Sequence, residues 1–397
     1  MRWRIRIVSS KLLGGIPIIV TIFVLLSFYT DSVLIFFAGM VLISLYFFAK
    51  YYTKHVPTAL VLENNKHTIR LFPDEQDSFS FLLRNTGTIP IHHAKLDYFF
   101  NDVIRLWDEN HNTPQIHLLP NQAAEITVPF TSMKRGVSRI KDITVQMKDL
   151  VGLNTIHLTF DTIYHTEVVV YPNPTKIVGI EHIEKMTLGE YPLSSSLFED
   201  TSQPFGSRDY VSGDSFNRIH WKLSSKMDVL QTKVFEKTTM VSWSFILNLG
   251  EIKTTLSKQS IEQNISYLAY LCQYATSKNI PYEMFINVQI PGKHSAFHLD
   301  VSKGKEHLGR TMEILARLDH SSIKVPNKRF LLSIDARLAP STTLFYFGEK
   351  DQLSERHFVN WRKNGSRIYL AEKQDIEDGA YLRSWRRANE NDMVAGR

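Results

Sequence analysis

The chain has 397 residues, of which 43% are hydrophobic and 22% are charged, and its formal net charge is +6 at pH 7. This length and composition are typical of a globular protein with two or three domains. The positive charge is concentrated at one end. Residues 1–55 contain six Lys or Arg and one Asp, which leaves 40 basic against 39 acidic residues in the remainder. Because the remainder is nearly neutral, we expect no nucleic-acid partner.

Two apolar segments without charges lie near the N-terminus, from Leu12 to Tyr29 and from Val33 to Ala49. At about 1.5 Å per residue they extend about 27 and 25 Å, close to the roughly 30 Å of a bilayer's hydrocarbon core. The basic leader before them would also suit a cleaved signal peptide. However, the second segment follows at once, and no small-residue cleavage site separates the two. The sequence therefore predicts an N-terminal transmembrane helical hairpin with basic flanks over residues 1–55.

No basic residue lies in the loop between the two helices of this hairpin. The basic residues that flank it are Arg2, Arg4, Arg6, Lys11, Lys50 and Lys54. The positive-inside rule places both flanks in the cytoplasm. We therefore predict a two-pass protein of the cell membrane, with both termini and the large folded part after His55 in the cytoplasm. The single cysteine, Cys272, agrees with this location because one cysteine cannot form a disulfide within the chain.

The next part of the chain contains short strand-like runs separated by turn-forming residues. The clearest runs are Ser78–Arg84, Glu125–Phe130, Ile140–Met147 and Thr166–Tyr171. Since no long segment with helical periodicity interrupts them, residues 56–174 are predicted to form an immunoglobulin-like antiparallel β-sandwich. Residues 175–238 lack clear periodicity and are interpreted as a connector.

From residue 239 onward, strand-like and helix-like patterns alternate. Apolar strands are predicted at Val241–Leu249, Tyr282–Val288, Leu344–Phe347 and Arg367–Leu370, and amphipathic helices lie between them, over residues 261–275, 308–318 and 353–361. This alternation favours a mostly parallel sheet with helices on its faces. Residues 239–397 are therefore predicted to form an α/β domain with a von Willebrand A-like or Rossmann-like topology.

The most informative segment is Gly206–Lys222, which contains two acidic residues, three basic residues, a His and a Trp around Gly213. Its residues Asp214, Arg218 and His220–Lys222 resemble the signature of the family called domain of unknown function 58, a Gly-Asp followed by Arg and then Ile-His-Trp-Lys. The chain is similar to that family also in its apolar N-terminal segments and at Arg135-Gly136, Asp149–Leu153 and Tyr171-Pro172.

The resemblance implies a C-terminal von Willebrand factor A-like domain. It also implies partners, namely a MoxR-type AAA+ ATPase and a membrane protein with a transglutaminase-like domain, but no agreed activity. A von Willebrand A domain binds Mg²⁺ through an Asp and Ser hydroxyls. Here Asn248 stands in place of that Asp, and Gly250 lacks the first hydroxyl. We therefore expect no metal and no cofactor, and the sequence also lacks a P-loop and a Ser nucleophile elbow.

Seven residues of the signature are the candidate site: Arg208, Asp209, Asp214, Arg218, His220, Trp221 and Lys222. In one interpretation the basic residues pair with the acids and Trp221 packs its ring in a joint between domains. In another they form a docking surface for a protein partner. The alternative is a metal-dependent or acid–base enzyme centred on Asp209, Asp214 and His220. We predict a membrane-anchored cytosolic adaptor or assembly protein that works with a MoxR-type ATPase in maturation or control of membrane or envelope proteins.

Overall fold

The computed structural model describes residues 3–9, 11–63, 67–107, 115–149, 152–160, 165–188, 199–237, 242–250, 257–290, 292, 295–319, 321–373 and 380–386. The chain forms two compact units. The first contains Met1–Asn173 and Glu313–Leu318, and the second contains Pro174–Met312 and Asp319–Arg397.

Up to residue 173 the elements are mostly strands, apart from two long helices near the N-terminus. In chain order they are β1 (Trp3–Ser9), α1 (Lys11–Thr30), α2 (Val33–Ala59), β2 (Leu60–Leu62), β3 (Thr68–Leu71), β4 (Gln76–Asn85), β5 (Ile91–Phe99), β6 (Ile104–Leu106), β7 (Gln115–Leu118), β8 (Ala123–Ser132), β9 (Gly136–Arg139), β10 (Asp142–Lys148), β11 (Asn154–Phe160) and β12 (Glu167–Val170).

Helix α2 is long and apolar enough to cross a membrane, and α1 provides a shorter apolar helix over Gly14–Thr30. Only 11% of the most apolar stretch of α2 is buried within the protein. Large apolar side chains such as Leu34 and Phe37 are exposed instead. A core helix of a water-soluble domain would bury such residues, so this exposed apolar surface favours membrane association.

The strands of the first unit form a β-sandwich, as predicted. One antiparallel sheet has the order β1-β11-β10-β5-β7 and another has the order β2-β4-β8-β6, while β3, β12 and β9 form a smaller sheet. Along β4, Phe79, Phe81 and Leu83 are buried and alternate with more exposed residues. This period of two places one face of each strand in a shared core, to which β8 and β10 contribute Phe130 and Val145.

Strand β1 differs from the prediction, which assigned these residues to a basic flank of the hairpin. Trp3–Ser9 instead pairs with β11 across its whole length, beginning with Trp3 opposite Phe160. Trp3 Nε1 donates to the carbonyl of Leu60 at 2.7 Å, and its ring meets that of Phe160 edge-on. The arginines alternate along the strand with Ile5 and Ile7, which are also exposed.

From residue 174 onward helices and strands alternate. The elements are β13 (Ile177–Val178), α3 (Ile180–Leu188), β14 (Glu199–Asp209), a 3₁₀ turn (Phe216–Arg218), α4 (Trp221–Met227), β15 (Gln231–Lys237), β16 (Trp243–Leu247), α5 (Lys258–Ser277), β17 (Tyr282–Gln289), β18 (Ala296–Ser302), α6 (Lys305–Arg317), α7 (Asn327–Asp335), β19 (Thr343–Phe347), α8 (Gln352–Lys363), β20 (Arg367–Lys373) and β21 (Ala380–Ser384).

A seven-stranded sheet of order β13-β21-β20-β19-β16-β17-β18 organises the second unit. Its four central strands, β17, β16, β19 and β20, are parallel to one another. Strand β18 runs antiparallel to β17 and β21 runs antiparallel to β20, whereas the edge strand β13 is parallel to β21. All five residues of β16 and of β19 are buried, as expected for strands covered on both faces. Counted from β16, the order is that of a doubly wound α/β sheet. The von Willebrand A-like or Rossmann-like identity of this unit stays a prediction.

The predicted connector, residues 175–238, contains regular structure. Strand β13 pairs with β21 at the edge of the seven-stranded sheet, and Ile180 and Ile183 of α3 are buried. A two-residue strand and a short helix are too brief for periodicity to identify them. The Ser-rich part of the predicted connector, residues 194–196, lies outside the described residues.

Candidate functional site

The signature segment is folded onto a two-stranded ribbon. Strands β14 and β15 pair antiparallel, with Asp209 opposite Gln231. The chain between them turns at Gly213, whose φ of +111° suits glycine, and continues through the 3₁₀ turn into α4. Ile219 is buried and anchors this excursion through an isolated bridge to Thr232. The candidate residues are therefore held by one local module.

Asp214 ties the turn to both strands of the ribbon. Its Oδ1 accepts from Arg208 Nη2 at 2.7 Å, and its Oδ2 accepts from the backbone N–H of Val211 and from Thr232 Oγ1, both at 3.1 Å. The Arg208 guanidinium, followed by the Val211 N–H, holds the pKa of the Asp214 carboxyl below its ordinary value. The predicted pairing of an acid with a basic residue is thus present, and it fixes the turn in place.

His220 and Asp209 also have local partners. His220 is the N-cap of α4, and its Nδ1 accepts from the backbone N–H of Leu223 at 3.2 Å. The hydroxyl of Ser224 joins α4 to β15, because it donates to the His220 carbonyl and accepts from the Gln231 N–H. Asp209 Oδ1 accepts from Gln231 Nε2 at 2.6 Å. Each of these polar side chains holds part of the module together.

The predicted alternative was an enzyme centred on Asp209, Asp214 and His220. Within the described ranges, no group of three His, Cys, Asp or Glu side chains is arranged so that it could hold a metal ion. Asp214 uses both carboxylate oxygens, and Asp209 and His220 each use one side-chain atom, in the local bonds given above. The structure therefore does not bring the three together as a metal site.

Trp221 does not pack as predicted. Trp221 is 64% exposed, and Phe216, five residues earlier in the sequence, is 71% exposed. Four more large apolar residues of the same module are exposed: Val211, Met227, Val229 and Leu230. We call these six residues the signature surface. Asp228 is in the left-handed conformation at the end of α4, where the chain leaves the helix toward Val229 and Leu230.

Basic residues accompany the signature surface. Arg218, Lys222 and Lys226 are exposed on the 3₁₀ turn and on α4. The module thus exposes six large apolar side chains and three basic ones, and its turn is fixed by internal hydrogen bonds. Sequence reasoning found the polar residues through their resemblance to a family signature. It missed the apolar ones, because exposed apolar residues in a short turn have no periodic pattern.

A buried amide network occupies the carboxyl end of the central strands, where a von Willebrand A domain would hold its metal. Asn248 Oδ1 accepts from Asn287 Nδ2 at 2.8 Å and from the Gly250 N–H at 3.1 Å. Asn248 Nδ2 donates to the hydroxyl of Tyr346 at 2.8 Å and to Asn327 Oδ1 at 3.3 Å. The amide of Asn248 thus joins β16 to β17, β19 and α7 through neutral hydrogen bonds.

No family model matches the chain, and no curated protein matches it. Among solved structures, trypsin-activated alpha-2-macroglobulin from Escherichia coli is 12% identical, with a TM-score of 0.22 over 30% of this chain and 8% of that chain. PapD-like domain 7 of human CEP192 is 15% identical, with a TM-score of 0.20 over 29% of this chain and 87% of that chain. The CARDB domain of the PF1109 protein from Pyrococcus furiosus is 19% identical, with a TM-score of 0.19 over 28% of this chain and 86% of that chain.

Similarities at this level carry no argument about function. The chain also spans only a small part of the macroglobulin it matches. The case for a function therefore depends on the chain's own residues.

Proposed function

We propose that the protein is a membrane-anchored adaptor or assembly protein of the domain of unknown function 58 family, and that its signature surface docks a MoxR-type AAA+ ATPase. The pair would act in maturation or control of membrane or envelope proteins. The observation that carries the proposal is the exposure of Phe216 and Trp221 together with four other large apolar side chains on one local module. Soluble proteins rarely expose such groups unless they bind something.

The chemistry of the signature surface suits a protein partner. Trp, Phe and Met are enriched in the cores of protein interfaces, and Arg is common among the residues that carry binding energy. The Arg208–Asp214 ion pair and the His220 cap fix the backbone beneath these side chains. A surface that is already ordered loses little conformational entropy on binding.

The anchor would be a two-pass hairpin with the folded units in the cytoplasm. Strand β1 precedes α1 and strand β2 follows α2, and both strands belong to the first unit. A pair of helices that leaves and returns to the same domain has both of its ends on one side of the membrane. The basic residues at these ends assign that side to the cytoplasm.

The von Willebrand A-like identity of the second unit is supported by its strand order and by the antiparallel strand β18 at the edge next to β17. The amide network around Asn248 supports a form of this domain that works without the metal. The choice of a MoxR-type ATPase, and of a transglutaminase-like membrane protein as a further partner, is supported by the resemblance of Asp214, Arg218 and His220–Lys222 to the family signature.

Affinity capture tests the docking proposal. Tagged full-length protein is isolated from detergent-solubilised membranes, and the captured proteins are identified by mass spectrometry. We expect the wild type to capture an AAA+ ATPase and Trp221→Ala to lose it. Trp107→Ala is the matched control, since Trp107 is 58% exposed in the first unit and should not matter. Failure of the wild type to capture an ATPase, or equal losses in both variants, would contradict the proposal.

Cysteine labelling tests the topology. The native Cys272 is fully buried and burial raises the pKa of its thiol, so a membrane-impermeant maleimide will not label it. Asp31→Cys, between the two helices, should be labelled in intact cells. Glu125→Cys, exposed on β8, should be labelled only after the membrane is permeabilised. The opposite pattern would overturn the assigned orientation.

A further inference from the structure

A cavity of about 920 Å³ lies where α2 meets β1 and β11 within the first unit. Its lining is mainly apolar, from Ile7, Phe47, Phe48 and Tyr51, and all four of these side chains are exposed. Such a cavity is large enough for part of a small amphiphile.

Two lysines line the cavity. On α2, Phe47, Tyr51 and Lys54 follow one another at spacings of four and three residues, so they share one face of the helix, and Lys50 lies next to Tyr51. From Phe47 to Lys54 this face extends about 10 Å along the axis. Both apolar rings and amines therefore border the cavity, and the Lys50 Nζ lies 5.3 Å from the centre of the Tyr46 ring.

The charge of the cavity is positive. Lys50 and Lys54 line it, and no Asp or Glu is among the described residues that do so. Lys50 is the first charged residue after the uncharged stretch Val33–Ala49. In a membrane-spanning helix this position lies at the level of the lipid headgroups, where long basic side chains meet phosphates.

A buried polar group lies against the same cavity. Asn154 is 2% exposed, and its Nδ2 donates to Asp149 Oδ2 at 2.7 Å and to Thr53 Oγ1 at 3.3 Å. The donation to a carboxylate identifies the nitrogen, so the other amide atom is Oδ1. In the part of the chain that the structure describes, this Oδ1 has no hydrogen-bond partner. Buried polar atoms are nearly always paired, so this acceptor indicates a site completed by a ligand group that donates a hydrogen bond, such as a headgroup hydroxyl.

We infer that this cavity binds one anionic glycerophospholipid, with its phosphate at Lys50 and Lys54 and its acyl chain against Phe47 and Phe48. The lipid would join the sandwich to the bilayer surface beside α2. This inference goes beyond adaptor function and does not involve the signature surface. It depends only on the membrane insertion of α2, which the cysteine labelling of Asp31→Cys tests separately.

Native mass spectrometry of the full-length protein in detergent micelles tests the inference. Phosphatidylglycerol and phosphatidylcholine with the same acyl chains are titrated in parallel, and inorganic phosphate is the probe that lacks acyl chains. We expect one tightly retained phosphatidylglycerol, and weaker binding of phosphatidylcholine that does not saturate. The double change Lys50→Gln and Lys54→Gln should weaken phosphatidylglycerol binding roughly thirtyfold.

The control variant carries Lys95→Gln and Lys141→Gln, which remove two exposed charges elsewhere in the first unit, one on β5 and one directly before β10. It should bind like the wild type, and so should Lys50→Arg with Lys54→Arg, which keeps the charge. Thermal unfolding of each variant checks that it is folded. Three results would overturn the inference: equal retention of the two lipids, equal loss in the control variant, or displacement of the lipid by millimolar inorganic phosphate.

Discussion

Replacing Asn287 by Ala should destabilise the second unit, because the Asn287 side chain makes three hydrogen bonds within the buried amide network. Its Oδ1 accepts from the Leu249 N–H at 2.9 Å, and its Nδ2 donates to Asn248 Oδ1 at 2.8 Å and to the Gly250 carbonyl at 3.1 Å. The side chain is fully buried, so water cannot replace these partners without disturbing the packing.

The expected loss follows from these three hydrogen bonds. At about 0.5–1.5 kcal/mol for each, their removal lowers the free energy of unfolding by about 3 kcal/mol. The backbone groups of Leu249 and Gly250 would also remain buried without this partner, which adds to the loss in stability. For a unit of about 200 residues, 3 kcal/mol corresponds to a fall in Tm of roughly 6–12 °C.

The assay is thermal unfolding of full-length protein in detergent, followed by tryptophan fluorescence. Trp243 and Trp361 are both buried in the second unit and report its melting. Asn360→Ala on α8 is the matched control, since Asn360 is exposed and Ala is the better helix former. A Tm for Asn287→Ala within about 2 °C of the control would refute the view that the network stabilises the unit.

Two further predictions concern the same unit. Gly348→Ala should lower the free energy of unfolding by at least about 2 kcal/mol, because φ is +139° and the new Cβ would lie 2.4 Å from the Asn248 carbonyl oxygen. Gly309→Ala, in α6 with open space around it, should raise the free energy of unfolding by about 0.5–1 kcal/mol in the same melts. Burial lowers the pKa of His307, so the unfolded chain takes up its proton first as pH falls. The stability from the neutral ring is complete above about pH 6.5 and declines as pH falls from there toward the folded pKa. Between pH 7.5 and pH 5.5, the Tm of His307→Gln should therefore fall less than the Tm of the wild type. The Gln amide can still donate to the Tyr282 carbonyl.

The sequence predicted those elements that have strong periodicity or a continuous apolar run. Strand β4 alternates buried and exposed residues, and α5 has a regular apolar face, so both were found. Strand β1 was missed because its arginines suited a membrane flank equally well, and only its pairing with β11 decides between the two. Strand β18 and helix α7 were missed since their short patterns depend on neighbours that are distant in sequence.

The candidate site was predictable in its residues but not in its geometry. The ion pair of Arg208 with Asp214 could be expected from charge alone. The bond from Thr232 to Asp214 depends on the register of β14 with β15, which the sequence does not reveal. Trp221 was predicted to pack its ring, whereas the turn exposes it. A local signature thus points to candidate residues, while tertiary pairing decides which of them face solvent.

The pairing of β1 with β11 sets an order of events during synthesis. These strands are separated by about 150 residues, so at about 5–20 residues per second β1 waits roughly 8–30 s for its partner. The helical hairpin lies between them and leaves the ribosome long before β11 does. Under the proposed membrane anchoring, closure of the sheet follows delivery of the helices to the bilayer. A chain that failed to insert would carry an unpaired strand and two exposed apolar helices at the same time, which makes it a ready substrate for quality-control proteases.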